Sequence, residues 1–512
     1  MVSRISGLLG KRVLHVYDPV ALQSILLKDQ LYYEESSFII SMNVMVFGPG
    51  LVSTIGDQHR KQRKMLNPVF SVKHLRQMTP IFYRVAQQLQ QGIKKQLKCS
   101  SGPEDVDILN WISRTALELI GQGGLGYSFD PLVEESQNTF ADAIKDTIPA
   151  VWALGGFGLL APIATKLGPS SFRRWVLDNL LPAEKIQRLK ILSDTIKAEA
   201  RKVIAQKRRA LQVDEGAMSQ QVDEGKDIMS VLLRANMKAS ESEKLDEDEL
   251  AAQTTTLIFG ATETTSGALA QILQLLAQHS DIQEQLRAEI TQAGEQDIPY
   301  DQLVDLPYLD AVCRETLRLY SPVTEIYRDC IKDMVLPLSK PIQGLDGTWM
   351  KDVPVPEGTR IIISVRGCNR NKEIWGEDAD EWKPERWLSP LPEAVTIARI
   401  PGVYSNLMTF AGGGRSCIGF KFSQLEMSRA FRAPPVFQIL SFRQGSCVEL
   451  LSCQVSDSRK GLQQAINADE DSVPQREFHT GMKSFRYCAQ HRRSQSGTYD
   501  DTVPQTPVEM LR

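Results

Sequence analysis

The chain has 512 residues, of which 42% are hydrophobic and 24% are charged, with a formal net charge of −3 at pH 7. This composition is that of a globular protein large enough to bury a sizeable core. So small a net charge excludes the strong positive field of a nucleic-acid-binding protein, and we expect no nucleic-acid partner.

Helical periodicity dominates the sequence, and strand-like runs are few. In chain order, the patterns predict a strand over 13–17, helices over 80–98, 107–121, 182–211, 247–277 and 307–320, and a strand over 360–365. Many helices with a small sheet favour a mainly α fold with a minor β region. Composition predicts poor order over 214–249, apart from a short helix over 228–233, and a disordered polar tail over 441–512.

The hydrophobic segments are short or interrupted. No stretch of about 18 apolar residues is present, so we predict no transmembrane helix. The most apolar window, 148–164, contains Pro149, Pro162 and several glycines. Such a segment is expected to line an apolar pocket or to rest on a membrane surface, where the attachment would be weak and peripheral.

The chain has eight cysteines, and no two have a CxxC spacing, which argues against a zinc ribbon or an iron–sulfur cluster. No signal peptide is recognisable, so we expect reduced thiols on the cytosolic side. One cysteine, Cys417, lies in an unusual glycine-rich segment and is the first candidate for chemistry.

The segment FAGGGRSCIG, residues 410–419, surrounds Cys417. Its glycines would let the backbone approach a flat ligand, and a helix starting after the cysteine would lower the pKa of the thiol. A thiolate here could ligate haem iron, with Arg415 beside a propionate and Phe410 beside the sulfur. Two alternatives stay open at this point. A lone cysteine is usually a small buried hydrophobe, and a glycine turn can cradle phosphate, although the Lys-Ser/Thr of a P-loop is absent.

The complete pattern FxxGxRxCxG has a chance frequency on the order of one in ten thousand for a chain of this length. It resembles the signature loop of the cytochrome P450 family, and the matching residues are Phe410, Gly413, Arg415, Cys417 and Gly419. The overall character is most similar to fungal microsomal members. The resemblance implies the cytochrome P450 fold, with haem b between a long distal helix and the proximal cysteine loop. It also implies Cys417 as the axial ligand of the haem iron.

A second motif, GATETT over 260–265, lies in the long helix predicted over 247–277. Threonines in an apolar helix are more often packing residues, but a helix interior rich in Thr and Gly is intrinsically poor and often marks a site. The segment resembles the family's oxygen-activating motif, which implies that Glu263 and Thr264 are the acid and the alcohol of proton delivery. Ala261 stands where the family usually has glycine.

Glu315 and Arg318 are three residues apart on a predicted helix, so their side chains meet on one face. An isolated pair of this kind is usually a surface ion pair of little value. Here the pair resembles the family's ExxR motif. The resemblance implies that Arg386 is the third member of a buried structural triad, which would hold the loop that carries Cys417.

Residues 56–63 resemble the family's WxxxR helix, with His59 in place of the tryptophan and Arg63 at the arginine position. The imidazole of His59 retains a nitrogen that can donate to a carboxylate. Arg328 matches another arginine that binds a haem propionate in the family. Considered alone, each arginine would be a solvated surface charge. The resemblance implies that His59, Arg63, Arg328 and Arg415 bind the propionates.

The resemblance extends in order from about residue 13 to about residue 427, and it implies one haem-thiolate domain over 13–440. The family's membrane anchor and first strand have no recognisable counterpart before Val13. After Met427 the proximal helix meets Pro434 and Pro435. Because prolines end a helix and a thiolate ligand needs a rigid surrounding shell, we expect weaker haem binding than with an uninterrupted apolar helix.

The activity implied by the resemblance is that of an NADPH-dependent monooxygenase, an oxidoreductase that inserts one atom of O2 into an apolar small molecule by hydroxylation or epoxidation. Its partner would be NADPH-cytochrome reductase at the cytosolic face of the endoplasmic reticulum. Without an anchor, the chain would be cytoplasmic or peripheral to the membrane. Fungal secondary metabolism, such as terpenoid biosynthesis, is the setting that the resemblance suggests. We expect an apolar substrate pocket formed by 37–47, 148–160, 257–264 and 323–326.

Two alternative functions remain open from the sequence. One is a haem-thiolate isomerase or dehydratase that does not use O2, which would have no need of the acid–alcohol pair Glu263-Thr264. The other is a non-catalytic haem-binding product of an altered gene model, which the atypical sequence after Met427 suggests.

Overall fold

The computed structural model describes residues 1–6, 12–99, 104–130, 132, 139–214, 227–294, 297–344, 346–430 and 487–489. Helices account for most of these ranges, and strands form small sheets beside them. The fold is therefore mainly α with a minor β region, as the periodicity predicts.

The helices differ widely in length. In chain order they are α1 Pro19–Gln23, α2 Ser37–Phe47, α3 Gly56–Leu66, α4 Val72–Cys99, α5 Ile108–Leu119, α6 Thr139–Ala153, α7 Ala161–Ala164, α8 Ser170–Asn179, α9 Glu184–Asp214, α10 Ile228–Lys238, α11 Glu247–Gln278, α12 Ser280–Gln292, α13 Tyr300–Val304, α14 Pro307–Leu319, α15 Val365–Asn369, α16 Lys372–Trp375, α17 Glu393–Ala398 and α18 Phe420–Ala430. Short 3-10 or π segments lie at Ser24–Lys28, Asn67–Phe70, Ile120–Leu125, Gly155–Leu160, Pro384–Trp387 and Gly413–Arg415.

The strands form one mixed sheet and two small pairs. They are β1 Val2–Ser6, β2 Arg12–Val16, β3 Tyr33–Glu35, β4 Glu104–Val106, β5 Glu325–Cys330, β6 Met334–Gln343, β7 Trp349–Val355, β8 Arg360–Ser364 and β9 Tyr487–Ala489. The mixed sheet has the order β1-β2-β8-β5-β3, and only β2 and β8 run parallel within it. Ile361 and Ile363 alternate onto the same face of β8 and are fully buried, which fixes that face toward the core.

Two large hydrophobic clusters form the core, and α11 contributes to both. One cluster gathers the sheet with α14 and includes Ile272 of α11, and the other gathers α4 and α5 and includes Ile258 of α11. The start of α11 is fixed by a capping box, in which Asp246 accepts from the backbone of Glu249 and the Glu249 side chain accepts in return. A long helix through both clusters gives the molecule one rigid central element.

Several sequence predictions are confirmed in position. The ranges 107–121, 182–211, 247–277, 307–320, 13–17 and 360–365 correspond to α5, α9, α11, α14, β2 and β8. The first predicted helix begins earlier, at Val72, and Pro80 lies inside it. A proline inside a helix is costly, but the buried Met78 and Phe82 on either side supply packing that offsets the cost.

Other predictions need correction. No strand was expected before Val13, but β1 lies there and pairs antiparallel with β2. The strand was missed because it is stabilised by backbone pairing, which a short, partly apolar run does not signal. Within 214–249, the short helix expected over 228–233 is present but is longer, as α10, because Asp227 caps it and Ile228 and Leu232 are buried. The low number of expected strands is also wrong, since β3, β5, β6 and β7 mix polar and apolar residues and give no clear strand pattern in the sequence.

The predicted disordered tail over 441–512 lies outside the described residues, apart from β9, which pairs antiparallel with β4. Pro434 and Pro435 also lie outside them. Within the described ranges, no helix combines the length and the hydropathy needed to cross a bilayer.

Candidate functional site

The cysteine loop turns sharply before it enters α18. The backbone N–H of Cys417 donates to the carbonyl of Phe410 at 2.9 Å, which closes the loop, and α18 begins at Phe420. The Phe410 ring packs against Tyr404 and Phe420, with centroids 5.4 and 6.1 Å apart. The aromatic packing fixes the base of the loop.

The glycines of this loop meet protein rather than open space. A Cβ on Gly412 would lie 1.9 Å from the carbonyl oxygen of Pro401, and one on Gly413 would lie 2.0 Å from that of Leu26. Gly413 also has a φ of +70°, which disfavours other residues. Gly412 and Gly413 are therefore required by the neighbouring carbonyl groups of the protein and not by close approach to a flat ligand. Gly419 is unconstrained, since a Cβ there would make only an ordinary contact with Phe70.

The thiol of Cys417 is accessible to solvent although protein surrounds it, so we infer that it faces an interior space. Burial raises its pKa, and the opposing effects of the Gly419 N–H and the nearby Arg63 do not outweigh that burial. The Gly419 amide before α18 thus lowers the thiol pKa as expected of a helix start, but burial has the larger effect. A raised pKa is expected for a thiol that is removed from water, when neighbouring groups stabilise its thiolate only in part.

α11 has a gap in its otherwise buried surface at Gly260 and Thr264. Both are at least partly exposed, one turn apart, between buried stretches of the same helix. No heavy atom lies within 4 Å of a Cβ built on Gly260, and the Thr264 hydroxyl donates to the Gly260 carbonyl at 2.7 Å. The next residue, Thr265, lies 3.2 Å from Ser423 of α18, hydroxyl to hydroxyl. The open part of α11 is thus tied to the helix that follows Cys417.

Glu263 precedes the exposed threonine and is itself largely enclosed. Burial raises the pKa of its carboxyl, and the positive charge of Lys145 opposes this only in part. A carboxyl with a raised pKa keeps a proton to higher pH than usual. A carboxyl of this kind has the chemistry of a proton donor.

His59 and three arginines gather on the other side of the loop. Arg63 of α3 donates to the carbonyl and to the hydroxyl of Ser416, at 2.7 and 3.2 Å, and Arg415 donates to the carbonyl of Thr54 at 2.7 Å. Burial lowers the pKa of His59 to about 3, with contributions from Arg415 and Arg63, so the ring is neutral and retains one N–H donor. Arg63 therefore contacts the cysteine loop itself.

The third arginine, Arg328, is buried on β5 and pairs with Glu35 of β3 at 2.7 Å. Burial lowers the pKa of Arg63 and of Arg415, as expected for guanidinium groups held away from water. A cluster of partly desolvated cations is stabilised by an anionic ligand. Nothing in the sequence alone indicated Glu35, because the pairing arises from strand register.

The predicted charge triad is assembled and buried. Glu315 and Arg318 make two contacts of 2.8 Å, with both side chains fully buried, and Arg386 lies 3.3 Å from Glu315. Two further partners were not predicted: Trp387 donates to Glu315 at 3.0 Å, and Asp378 accepts from Arg386 at 2.9 Å. Each charge in the group thus has a partner, as burial demands.

Asn369 connects this triad to the cysteine loop, and sequence patterns did not reveal it. Its carbonyl accepts from Arg318 at 2.9 Å, and its side chain accepts from the N–H of Met408 at 2.9 Å. Its amide also donates to Thr409, at 3.0 Å, which in turn donates to Leu317 of α14. The chain entering the loop is therefore anchored on α14.

Three of the four segments expected to form the apolar pocket meet. Phe47 at the end of α2 lies 4.5 Å, centroid to centroid, from Phe259 of α11, and Leu154 belongs to the same cluster. The fourth segment, 323–326, differs, since Ile326 packs against the sheet cluster. The contacts give an apolar wall beside the exposed part of α11.

These residues fit a haem. The accessible sulfur of Cys417 is a soft ligand for iron, and the free space at Gly260 lies on a helix tied to the same region. Arg63, Arg328 and Arg415, with the N–H of His59, supply donors for two carboxylates. Among the residues that the structure describes, no group of three or more His, Cys, Asp or Glu side chains suits a bare metal ion.

Comparison with known proteins gives a consistent family. The family model described as Cytochrome P450 matches residues 6–433. Cytochrome P450 monooxygenase 91 of Postia placenta is 52% identical over 428 residues, which are 83% of this chain and 78% of the relative. Ganoderic acid synthetase CYP5150L8 of Ganoderma lucidum is 47% identical over 431 residues, with the same shares covered.

Solved structures agree in fold. A crystal structure described as a Cytochrome P450 (CYP102L1) superposes with a TM-score of 0.61 at 22% identity and covers 84% of each chain. A cyanobacterial structure, CYP120A1 with bound retinoic acid, gives the same TM-score at 21% identity over 85% of this chain and 84% of its own. At this identity, the likeness concerns the fold alone.

Proposed function

This chain belongs to the cytochrome P450 family, and from that premise we propose that Cys417 ligates the haem at which its monooxygenase reaction takes place. The family membership makes the chain a haem-dependent oxidoreductase that uses O2 and draws electrons from NADPH through a redox partner. The observation that carries the assignment to Cys417 is its accessible thiol in a loop anchored on α14 and flanked by Arg63. Three further cysteines, Cys313, Cys330 and Cys368, are buried.

Haem supplies an iron that binds and activates O2. The residues that would hold it are Cys417, through its sulfur, and His59, Arg63, Arg328 and Arg415, through donors to the propionates. Phe410 would support the loop by its packing against Tyr404 and Phe420. The triad of Glu315, Arg318 and Arg386 would keep the loop in place through Asn369.

Glu263 and Thr264 would manage the protons that the reaction consumes. Burial raises the pKa of the Glu263 carboxyl, so this group keeps its proton to higher pH than an exposed glutamate. The hydroxyl of Thr264 donates its hydrogen to the carbonyl of Gly260. Its lone pairs remain available to accept a hydrogen bond from a proton donor or from a water in the open space. A positioned acid and alcohol of this kind accelerate proton transfer.

The substrate that we propose is an apolar organic molecule. Phe47, Leu154 and Phe259 would contact it, since they form an apolar wall beside the exposed part of α11. The similarity to Ganoderic acid synthetase CYP5150L8 supports a role in fungal secondary metabolism, such as the oxidation of terpenoids by hydroxylation or epoxidation. None of these three side chains is charged, so the shape of the pocket would decide which apolar substrates bind.

For the redox partner, we propose NADPH-cytochrome reductase. Gly414 and Gln30, which are hydrogen-bonded at 3.1 Å, lie on the surface close to Cys417. An electron donor that docks there would reach the thiolate over a short span of chain. The exposed Lys28 beside Gln30 would favour a donor with an acidic surface.

The location that we propose is the cytosolic surface of the endoplasmic reticulum, with peripheral attachment. A group of large apolar side chains is exposed along the range from α6 to α8, and Trp152, Ile163 and Trp175 are 70%, 60% and 51% exposed. Lys166 and Arg173 lie in the same range and would meet anionic lipid headgroups. Such a surface rests on a bilayer without spanning it.

Two measurements on the purified chain test the proposed function. With carbon monoxide, the reduced protein should give the absorption typical of a thiolate-ligated haem. With NADPH and the reductase, it should consume O2 and oxidise an apolar substrate. A thiolate-type spectrum without NADPH-dependent O2 uptake would favour an isomerase or dehydratase, and failure to retain haem would indicate a non-catalytic product.

A further inference from the structure

Glu35 is a carboxylate placed next to an arginine that we assign to haem binding. It lies at the end of β3, directly opposite Arg328 in the antiparallel pairing with β5. Its Oε2 is 2.7 Å from Nη1 of Arg328, and the two side chains are only 17% and 3% exposed. A pair this enclosed is not a solvated surface contact, so its charges act on their surroundings with little screening.

The guanidinium of Arg328 has one occupied edge and one available edge. Its Nη1 contacts Glu35 and also donates to the carbonyl of Tyr327 at 3.0 Å. Among the described residues, Nε and Nη2 of Arg328 have no hydrogen-bond partner, and neither atom is a fully buried orphan. Glu35 therefore fixes the orientation of the Arg328 guanidinium and leaves its Nε and Nη2 groups available to a carboxylate ligand.

The charge of Glu35 also reaches the rest of the arginine cluster. Arg415 interacts electrostatically with Glu35, Glu34, Arg328 and Arg63. The three guanidiniums would make the surroundings of a bound haem strongly positive. Glu35, which is in direct contact with one of them, reduces that positive field.

We propose that Glu35 is a positioning residue, which orients Arg328 toward a haem propionate and holds the reduction potential of the haem iron below the value that the arginines alone would set. The inference rests on the proposed function, because it requires haem beside Arg328. The direction follows from Coulomb's law: reduction adds one negative charge, and a carboxylate nearby disfavours that addition. The potential governs how readily the first electron is accepted.

The test is the midpoint potential of the holoenzyme, measured by spectroelectrochemical titration in the wild type and in Glu35→Gln. The variant keeps the shape of the side chain and removes its charge. We expect the equilibrium constant for one-electron reduction to rise about tenfold, which corresponds to about 59 mV. Loss of haem to apomyoglobin should also become faster, because Arg328 is held less firmly.

Asp329→Asn is the matched control. Asp329 follows Arg328 on β5, and its substitution by asparagine also removes one negative charge. Its side chain points to the other face of the sheet and pairs with Arg360 at 3.0 Å. We expect its midpoint potential to stay close to that of the wild type.

Three outcomes would overturn the inference. A potential that is unchanged or lowered in Glu35→Gln would contradict the electrostatic role, and an equal rise in Asp329→Asn would show a general effect of charge. A wild-type protein that does not bind haem would remove the inference together with the proposed function. Normal haem binding with an unchanged potential would remove the inference alone.

Discussion

Thr264 differs from the other threonines of α11 in what its hydroxyl faces. Thr262, two residues earlier, is buried and donates to the carbonyl of Ile258 at 2.8 Å, so its hydroxyl serves the helix alone. Thr264 makes the same kind of contact with Gly260 but remains accessible to open space. Of these two threonines, Thr264 is therefore the one placed to order a water or a reacting group.

We predict that Thr264→Ala retains haem and substrate but wastes electrons as hydrogen peroxide. The product formed per NADPH should fall by roughly tenfold, because loss of the hydroxyl that orders the proton-delivering water slows a step to which positioned acid–base groups commonly contribute about 100-fold or more. Thr262→Ala should leave the coupling near that of the wild type. Unchanged coupling in Thr264→Ala, measured as peroxide and product per NADPH, would exclude this residue from proton delivery.

Glu426 on α18 is a buried acid that the proposed mechanism does not use. It is fully buried, and neither carboxylate oxygen has a hydrogen-bond partner within the described part of the chain. Burial raises its pKa well above the usual range, so the folded protein holds a proton that the unfolded chain releases. The contribution of Glu426 to the free energy of unfolding should therefore fall as pH rises from the ordinary glutamate pKa toward the raised one.

Glu426→Gln should remove that pH dependence, since an amide does not titrate. Urea unfolding measured from about pH 5 to about pH 8 spans the range just above the ordinary glutamate pKa. Across this range the wild type should lose stability relative to Glu426→Gln, because only the wild type carries the titrating carboxyl. Glu284→Gln, at an exposed position on α12, should keep the wild-type slope. Identical slopes in all three proteins would mean that Glu426 is ionised in the fold or has a partner.

The sequence predicted site residues best where the chemistry depends on residue type at a fixed spacing. Cys417, the pair Glu263-Thr264 and the pair Glu315-Arg318 are motifs of this kind. Glu35 and Asn369 were not predicted, because each acts through a contact made across distant parts of the chain. The packing of Gly412 and Gly413 was misread for the same reason, since the facing carbonyls belong to other segments.

At the scale of an element, α14 depends on a buried charge pair. Arg318 donates to both oxygens of Glu315 and to the carbonyls of Asn369 and Ala379. We predict that Arg318→Leu lowers the free energy of unfolding by about 3–5 kcal/mol, because the buried Glu315 carboxylate loses its nearest charged partner and keeps only the longer contact with Arg386. Urea unfolding monitored by circular dichroism measures the loss.

An exposed ion pair supplies the comparison for Arg318→Leu. Arg188 lies 2.7 Å from Asp146, with side chains 63% and 42% exposed. Arg188→Leu should change the stability little, because solvent screens an exposed pair. Equal losses in the two variants would contradict a structural role for the buried pair.

Element boundaries were predictable where a local signal fixes them. The start of α11 follows from the capping box of Asp246 and Glu249, and the end of α14 precedes Pro322. The start of α4 was misplaced because Pro80 resembles a first-turn proline. The strands β3 and β5 gave no clear signal, since their stability comes from pairing with each other and with β8.

At the scale of the whole molecule, the exposed apolar surface from α6 to α8 is the candidate for membrane contact. We predict that Trp152→Ser weakens binding to anionic vesicles by about tenfold, which corresponds to losing roughly 1.5 kcal/mol of apolar burial. Trp349→Ser is a close control, since Trp349 on β7 is 71% exposed against 70% for Trp152. It should bind vesicles as the wild type does, and equal losses in both, measured by sedimentation, would refute a specific surface.

The overall architecture was predictable because its long helices are strongly periodic and its motifs occur in one order along the chain. The way in which separate helices and strands pack against one another was less predictable. The meeting of Phe47 with Phe259 and the pairing of β2 with β8 depend on how separate segments pack, and no local pattern encodes such contacts.

The central claim is that Cys417 is the thiolate ligand of the haem, and the carbon-monoxide difference spectrum of the reduced protein tests it most directly. Cys417→Ser should lose the thiolate-type absorption, because a serine hydroxyl stays protonated and binds iron weakly. Cys313→Ser, at a buried position of α14, should keep it. If Cys417→Ser retained the absorption, or if Cys313→Ser abolished it in a folded, haem-containing protein, the assignment would be contradicted.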